Sequence, residues 1–449
     1  VQCSGSFYKF PFHSEVTITE AKDGVPQLGC EMEKEGTSIR VSSGLLQLAL
    51  EPGRGGRINE IALTDDQINQ VASDGALSAC TENVGSVPGP FADRPFAATV
   101  LEQSTDAIVL ELVNDQPIER KTLQKTLTVR KGIAGFRYAL RCVNRDERPV
   151  QPPFELRWHP ELVIGGLADE PDMLVIPTRD GPRALPLQAN QSGTSFAPGA
   201  NWAAVVDRSE KLAYVTTFNP GQVGRIYVWQ DARFYDLEVF SPHRQVKPED
   251  SIDLDLGIYF LRGLTGLDVY RDGHGAQADL PSSFDQKEYV RFPVEIGSAH
   301  ARIEPVTIAA KLWREKRMIT DFGGTVEDTV AFDQPLTHIL ESDLSEYPDG
   351  SYDLQVTIKV ANRPVLLIAK TLELSGNERS KLLAYYETCK TTIESLAKTA
   401  SRRSAAGAFD LRVRLEELRG DITAGRLDAA AARCGELTKA LTALRQRKP

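Results

Sequence analysis

Three stretches carry residues suited to proton transfer. FELRWHPEL (residues 154–162) alternates like a strand, and side chains two apart in a strand share a face. Glu155, Arg157 and His159 therefore fall in one row, with Leu156 and Trp158 on the other side. Such a row is either a solvated face or part of a site. FYDLEVF (residues 234–240) sets Glu238 inside an apolar strand: Tyr235, Leu237 and Val239 point one way, Asp236, Glu238 and Phe240 the other. A carboxylate beside Phe in a cleft has its charged form disfavoured by desolvation, which suits a general base near neutrality. A solvated Glu is the plainer alternative. LEPGRGGRINEIAL (residues 50–63) permits a tight turn through its glycines, flanked by Arg54 and Arg57, which solvent can also explain.

Other chemistries find no support. There is no P-loop, GxGxxG, GxSxG or HExxH, so nucleotide hydrolysis, dinucleotide binding, α/β-hydrolase chemistry and zincin proteolysis are excluded in their usual forms. The six His (13, 159, 243, 274, 300, 338) are scattered, so no metal site or cofactor is expected from them. Asp253 and Asp255 share a strand face, but calcium wants six to eight oxygens. Six Cys, at 3, 30, 80, 142, 389 and 434, form no CxxC pair, and spacing does not choose among their pairings. Cys389 and Cys434 fall in one helical region and either meet or stay as buried thiols.

The elements around these residues divide the chain into regions. Over residues 1–270 short alternating runs such as AIVLELV, GRIYVWQ and SIDLDLGIYFL recur between Gly, Pro, Asn and Asp clusters, as in an antiparallel sandwich or barrel. No amphipathic helix separates them, which excludes a parallel βαβ fold. Residues 271–289, RDGHGAQADLPSSFDQKEY, read as a polar linker. Residues 290–375 return to strands, with a Pro-Asp-Gly turn in EYPDGSYDLQVTI, and suit a small immunoglobulin-like β-sandwich without a disulfide. From 376 the period changes. Leu382, Tyr386, Cys389, Ile393 and Leu396, then Leu411, Leu415, Leu418 and Ile422, then Leu427, Cys434, Leu437, Leu441 and Leu444 follow helical spacing. Gly425 separates the last two runs, so residues 376–449 should form an α-helical hairpin or three-helix bundle.

Of the 449 residues, 52 are Lys or Arg and 62 Asp or Glu, a net charge of −10. Nucleic acid wants a basic surface, so it is a poor partner. The helical tail carries 15 Lys/Arg against 9 Asp/Glu and the rest 37 against 53, so the tail could dock a protein partner, or simply carry solvated Arg. No apolar run reaches the length of a membrane span. The abrupt opening, VQCSGSFYKF, leans towards an exported protein: secreted, periplasmic or at the cell surface.

The order of the three reactive stretches, a Gly-Gly-Arg strand, a His-Pro strand and a Leu-Glu strand, resembles the galactose mutarotase-like (aldose 1-epimerase-like) family over about residues 38–265. The resemblance implies a large antiparallel β-supersandwich with a sugar cleft on one concave sheet. It implies His159 as the acid at the sugar ring oxygen, Glu238 as the base at the anomeric hydroxyl, and Arg57 on sugar hydroxyls. Trp158, Tyr227 and Trp229 would offer apolar faces, and Asp231 a polar clamp. The second His of a mutarotase has no counterpart in TENVGSVPGPFADRPF (residues 81–96), where Arg94 is the only cation, with Asp93 beside it. The expectation is thus a carbohydrate-binding or carbohydrate-processing protein. A polysaccharide lyase or hydrolase accessory module, drawing on Tyr227, Tyr235, Arg157 and Arg225, and a non-catalytic cell-envelope assembly protein are the alternatives.

Overall fold

The computed structural model describes residues 28–72, 79–85, 87–150, 153–166, 172–179, 181–186, 193–230, 234–280, 283–284, 289–344, 347, 349–361, 363, 365–375, 378–399 and 402–446. Cys3, His13 and Asp231 lie outside them.

Eighteen strands are described in the first region. They are β1 (Glu31–Glu35), β2 (Ser38–Ser42), β3 (Leu46–Glu51), β4 (Arg57–Leu63), β5 (Cys80–Val84), β6 (Ala97–Gln103), β7 (Ala107–Ile118), β8 (Lys121–Arg130) and β9 (Gly135–Asn144). There follow β10 (Leu156–Leu162), β11 (Met173–Thr178), β12 (Gly181–Pro186), β13 (Thr194–Phe196), β14 (Trp202–Asp207), β15 (Leu212–Phe218), β16 (Arg225–Gln230), β17 (Tyr235–Phe240) and β18 (Ser251–Arg262). They form two nine-stranded sheets, ordered β1-β2-β3-β4-β5-β10-β17-β16-β13 and β12-β11-β14-β15-β18-β9-β8-β7-β6. All their described pairings are antiparallel, as hairpin-rich strands without crossover helices require.

Alternation decides what lies between the sheets. Leu48, Ile58, Trp158 and Leu237 from the first sheet meet Leu110, Leu127, Tyr138 and Leu256 from the second in one buried core. Trp158 stands edge-on to Tyr138 at 5.2 Å. The outer face of the second sheet is covered in part: Trp202, Val206 and Val215 pack with Tyr270 and Ala299 of the next region.

That next region holds β19 (Val269–Arg271), β20 (His274–Ala278), β21 (Ser283–Phe284), β22 (Tyr289–Ser298), β23 (Glu304–Arg314), β24 (Arg317–Val330), β25 (Leu336–Asp343), β26 (Gly350–Val360) and β27 (Leu366–Leu374). They form sheets ordered β19-β20-β22-β25 and β21-β27-β26-β23-β24 around a second core. The supposed linker at 271–289 is corrected here. His274–Ala278 pairs in register with Val294–Ser298, so backbone hydrogen bonding makes a strand of a polar, Gly-containing segment.

Three helices close the chain: α1 (Glu378–Thr399), α2 (Arg402–Thr423) and α3 (Leu427–Gln446). Their shared core is Leu382, Tyr386, Cys389, Ile393, Leu411, Leu415, Leu418, Ile422, Leu437 and Leu441, the periodic residues of the sequence. Each helix touches the other two, which makes a bundle rather than a hairpin. Gly425 adopts φ +72, the left-handed conformation that ends α2 without a side-chain penalty. Buried Asp421 then receives Arg426 and Arg433, clasping α2 to α3. The five described cysteines, Cys389 and Cys434 included, are free thiols. No helix among the described residues is long and apolar enough to cross a membrane.

Candidate functional site

β10 lies between β5 and β17 in the middle of the first sheet. Trp158 stands opposite Glu82 on one side and Val239 on the other. The same register puts His159 abreast of Thr81 and of Glu238, and Glu161 opposite Asp236. Tyr227 of β16 stands opposite Glu238, and Trp229 opposite Asp236. Directly opposed residues share a face. The outer face of the sheet therefore presents Arg157, His159 and Glu161 beside Asp236, Glu238 and Phe240, and these beside Arg225, Tyr227 and Trp229. This face is dry over its centre: His159 is 6% exposed, Glu161 1%, Asp236 4% and Glu238 3%.

Each imidazole nitrogen faces a carboxylate. Nδ1 lies 3.5 Å from Glu238 Oε2, and Nε2 lies 3.5 Å from Asp236 Oδ2 and 3.9 Å from Glu161 Oε1. Arg157 Nη1 donates to the same Glu238 Oε2 at 3.1 Å. Arg225 stacks on Phe240, 4.0 Å from its centroid, while pairing with Glu155 at 2.7 Å. Burial by itself would depress the His159 imidazole. Contacts with Glu161 and Glu238 and the charge of Asp236 outweigh it and push the imidazole up to about 10. Burial holds Asp236 well above the usual carboxylate range; the His159 charge opposes this and the Glu238 and Glu161 charges add to it. Near neutrality His159 is thus an imidazolium that donates hydrogen bonds, and burial makes Asp236 harder to ionise than an ordinary carboxyl. His159 Nδ1 and Asp236 Oδ1 are buried without a hydrogen-bond partner, a costly state that a polar ligand relieves. The donor atoms of His159, Asp236 and Glu238 lie within 4.8 Å of one another, a spacing that could also hold a metal ion.

The structure brings His159, Glu238, Tyr227 and Trp229 together and separates the other expected residues. Trp158 is 0% exposed and its indole Nε1 donates to Tyr214 in the core, 3.4 Å away, so it offers no face to a ligand. The reason is the alternation itself: a residue adjacent to His159 must point the opposite way. Arg57 is 9% exposed and donates from Nε to Glu51 at 2.7 Å across the β3–β4 hairpin. Arg94 sits on an exposed turn. Tyr235, considered as a lyase base, is buried in the core with its hydroxyl on Asp172 and the Ile164 amide. Asp253 hydrogen-bonds Ser251 and Asp255 hydrogen-bonds Gln222.

Glu161 and Asp236 are the site residues that sequence reading passed over. Both were legible by the two-residue rule: Glu161 follows His159 by two and Asp236 precedes Glu238 by two. Their convergence on one imidazole depends on the β10–β17 register, which no local pattern specifies.

A second buried polar cluster lies where the two sandwiches join. His274 and His300, scattered in sequence, stack at 5.0 Å. His274 Nε2 meets Glu304 at 2.8 Å and Ser298 Oγ at 3.2 Å. Because one nitrogen serves both, this is not a nucleophile–base–acid relay, which needs a different ring nitrogen for each partner. Arg363 completes the group, 3.0 Å from Glu304. Burial, with His274 and Arg363 adding to it, lowers His300 to about 4. Burial would raise Glu304, but the His274 hydrogen bond and the surrounding positive charges bring it down to about 2.

No family model and no curated protein matches the chain. Solved structures similar to it include a galactose mutarotase-like protein from Clostridium acetobutylicum, at 11% identity, covering 53% of this chain and 99% of that one with a TM-score of 0.42. A galactose mutarotase-like protein from Lactobacillus casei is 12% identical, covering 52% and 100% with a TM-score of 0.38. A TPR-domain containing protein from Parabacteroides distasonis is 6% identical, covering 52% and 48% with a TM-score of 0.40. Likenesses at this level say nothing about what this chain binds or catalyses.

Proposed function

We propose that the outer face of the first sheet binds a saccharide, with His159, Asp236, Glu238 and Arg157 on its hydroxyls and ring oxygen and with Tyr227 and Trp229 against its apolar face. The observation that carries this reading is the dry cluster of one imidazole, three carboxylates and one guanidinium, with unpartnered polar atoms, beside two partly exposed aromatic rings on β16. Sugars offer what such a surface takes: alternating donors and acceptors on one edge and C–H groups on a flat face.

Turnover of the epimerase kind asks for more. A base must reach one oxygen and an acid another across the ring. His159 and Glu238 are in direct contact, and an acid near 10 gives up its proton reluctantly at neutrality. A substrate must therefore part them, with Arg157 retaining Glu238. Binding is the primary activity in this reading, and proton transfer follows only where the ligand enters between the two side chains.

A screen of neutral sugars and uronates by thermal shift and calorimetry tests it. Glu238→Gln should keep binding and lower any anomerisation, followed by exchange NMR, by orders of magnitude. Unchanged turnover removes Glu238 from the chemistry, and no sugar bound at millimolar concentration removes the saccharide. One observation favours a second occupant: the donor set of His159, Asp236 and Glu238 is of a type that zinc accepts. Stabilisation by zinc, reversed by a chelator, would assign the site to metal.

We read the chain as three units, supported by one main core in each, with a smaller buried cluster bridging the first two: residues 1–270, 290–375 with strands from 269 onwards joined to it, and 376–449. An immunoglobulin-like reading of the middle unit is supported by two sheets, β19-β20-β22-β25 and β21-β27-β26-β23-β24, around one core; without the short edge strands β19 and β21 they stand three against four. A partner on the helical tail is supported by Phe409 and Val413, one turn apart on α2 and 69% and 46% exposed.

A further inference from the structure

On the opposite side of the first sheet from His159, two side chains of opposite charge meet inside the core. Glu82 points inward from β5 and Lys125 inward from β8 of the facing sheet, with side chains 2% and 1% exposed. Lys125 Nζ contacts Glu82 Oε2 and the carbonyl oxygen of Gly55. It lies 4.6 Å from the centroid of the Phe96 ring. The Gly-Arg-Gly-Gly turn seals the pocket from above: a Cβ on Gly56 would come within 3.6 Å of Nζ, and one on Gly55 within 2.2 Å of the Ala92 carbonyl oxygen. The Tyr138 hydroxyl interacts with the Glu82 carboxylate, but neither it nor Glu82 Oε1, both buried, makes a well-formed hydrogen bond.

An ion pair is a poor tenant for this pocket. An ammonium has three N–H donors and finds two acceptors here. Removing both ions from water costs more than their attraction returns unless every remaining lone pair and proton is satisfied, and Glu82 Oε1 is not. The surroundings suit a different state. Burial lowers the Lys125 pKa against the opposing pull of Glu82, favouring the neutral, nucleophilic amine.

We propose that Lys125 and Glu82 are joined by an intramolecular isopeptide bond that ties the two sheets of the first sandwich together. The step balances without a co-reactant. A proton passes from the Lys125 ammonium to the Glu82 carboxylate, giving amine and carboxylic acid. Nζ attacks Cδ, forming the C–N bond, and the tetrahedral oxygen is met by the Tyr138 hydroxyl. The C–OH bond then breaks, the departing hydroxide takes the second amine proton, and one water leaves. The product replaces two buried charges with one neutral amide. It links residues 43 apart in sequence, on strands that no backbone hydrogen bond joins.

Tryptic mapping of the folded full chain tests this. Trypsin does not cut after an acylated lysine, so the peptide containing Glu82 should appear joined to the one spanning Lys125, lighter than their sum by one water. Lys125→Arg should release the Glu82 peptide, and Tyr138→Phe should leave a growing fraction unlinked. Protein that is folded by circular dichroism yet gives free peptides, with full cleavage after Lys125, overturns the proposal. That wild-type result decides the matter even where the variants fail to fold.

Discussion

Two buried histidine clusters, one on the outer face of the first sheet and one at the junction of the sandwiches, solve the same burial problem in opposite ways. His159 is ringed by Asp236, Glu238 and Glu161, and its imidazole is held up to about 10. His300 stacks on His274 beside Arg363, and its imidazole is held down to about 4. Both rings are below 9% exposed, so burial does not set the sign. The neighbours do. At the junction the polar atoms largely satisfy one another: Glu304 takes His274 and Arg363, and the Asp272 carbonyl takes His300. On the outer face Nδ1 has only a long 3.5 Å ion-pair contact with Glu238, and Asp236 Oδ1 is left over. A cluster that closes on itself reads as architecture, and one left open is where the proposed ligand would go.

The strongest way to break the comparison is to remove each ring. His159→Leu leaves three buried carboxylates facing one guanidinium and should cost about 3–5 kcal/mol. His300→Phe keeps the stack and loses one hydrogen bond, so about 1–2 kcal/mol is expected. Urea unfolding at pH 7 compares them, and equal losses would mean that the His159 charge is unimportant.

Titration sharpens it. The folded value of His159 lies above its unfolded one, so its contribution is complete below about pH 6.5 and fades as pH rises towards 10. His300 is depressed, so its neutral ring stabilises fully above about pH 6.5, and that contribution goes as pH falls through 4. Glu304 is depressed as well, so its contribution is complete above about pH 4.5 and is lost as pH falls towards 2. Imidazole NMR signals should move near 10 for His159 and near 4 for His300; two midpoints near 6.5 would erase the distinction.

The smallest effect is expected at the rim. Trp229 is 39% exposed, so Trp229→Ala should change stability by no more than about 0.5 kcal/mol while weakening saccharide binding in calorimetry. A large loss of stability would make Trp229 a packing residue instead.

Sequence reading reached these sites unequally. The outer face was half legible, because period-two alternation fixes which residues of β10 and β17 share a side. It also forbade Trp158 from joining them, an implication at odds with its expected role beside a sugar. The junction was illegible. His274 lies in a polar, Gly-containing segment that looks like a linker, and only pairing with β22 makes it a strand. Lys125 and Glu82 were equally hidden, since each looks like an ordinary surface charge until the two sheets face each other. The helical tail was the most legible part, because its core residues repeat within a few positions of one another and need no distant partner to be recognised.

The adjacency of Trp158 and His159 on β10 has a consequence for how this chain can vary. One indole wedge and one proton carrier occupy consecutive positions, so a single inserted or deleted residue in that strand would swap them, driving the ring charge into oil and the indole onto the outer face. Point substitutions around β10 should be absorbed one at a time; frame-preserving gain or loss of a codon within it should not.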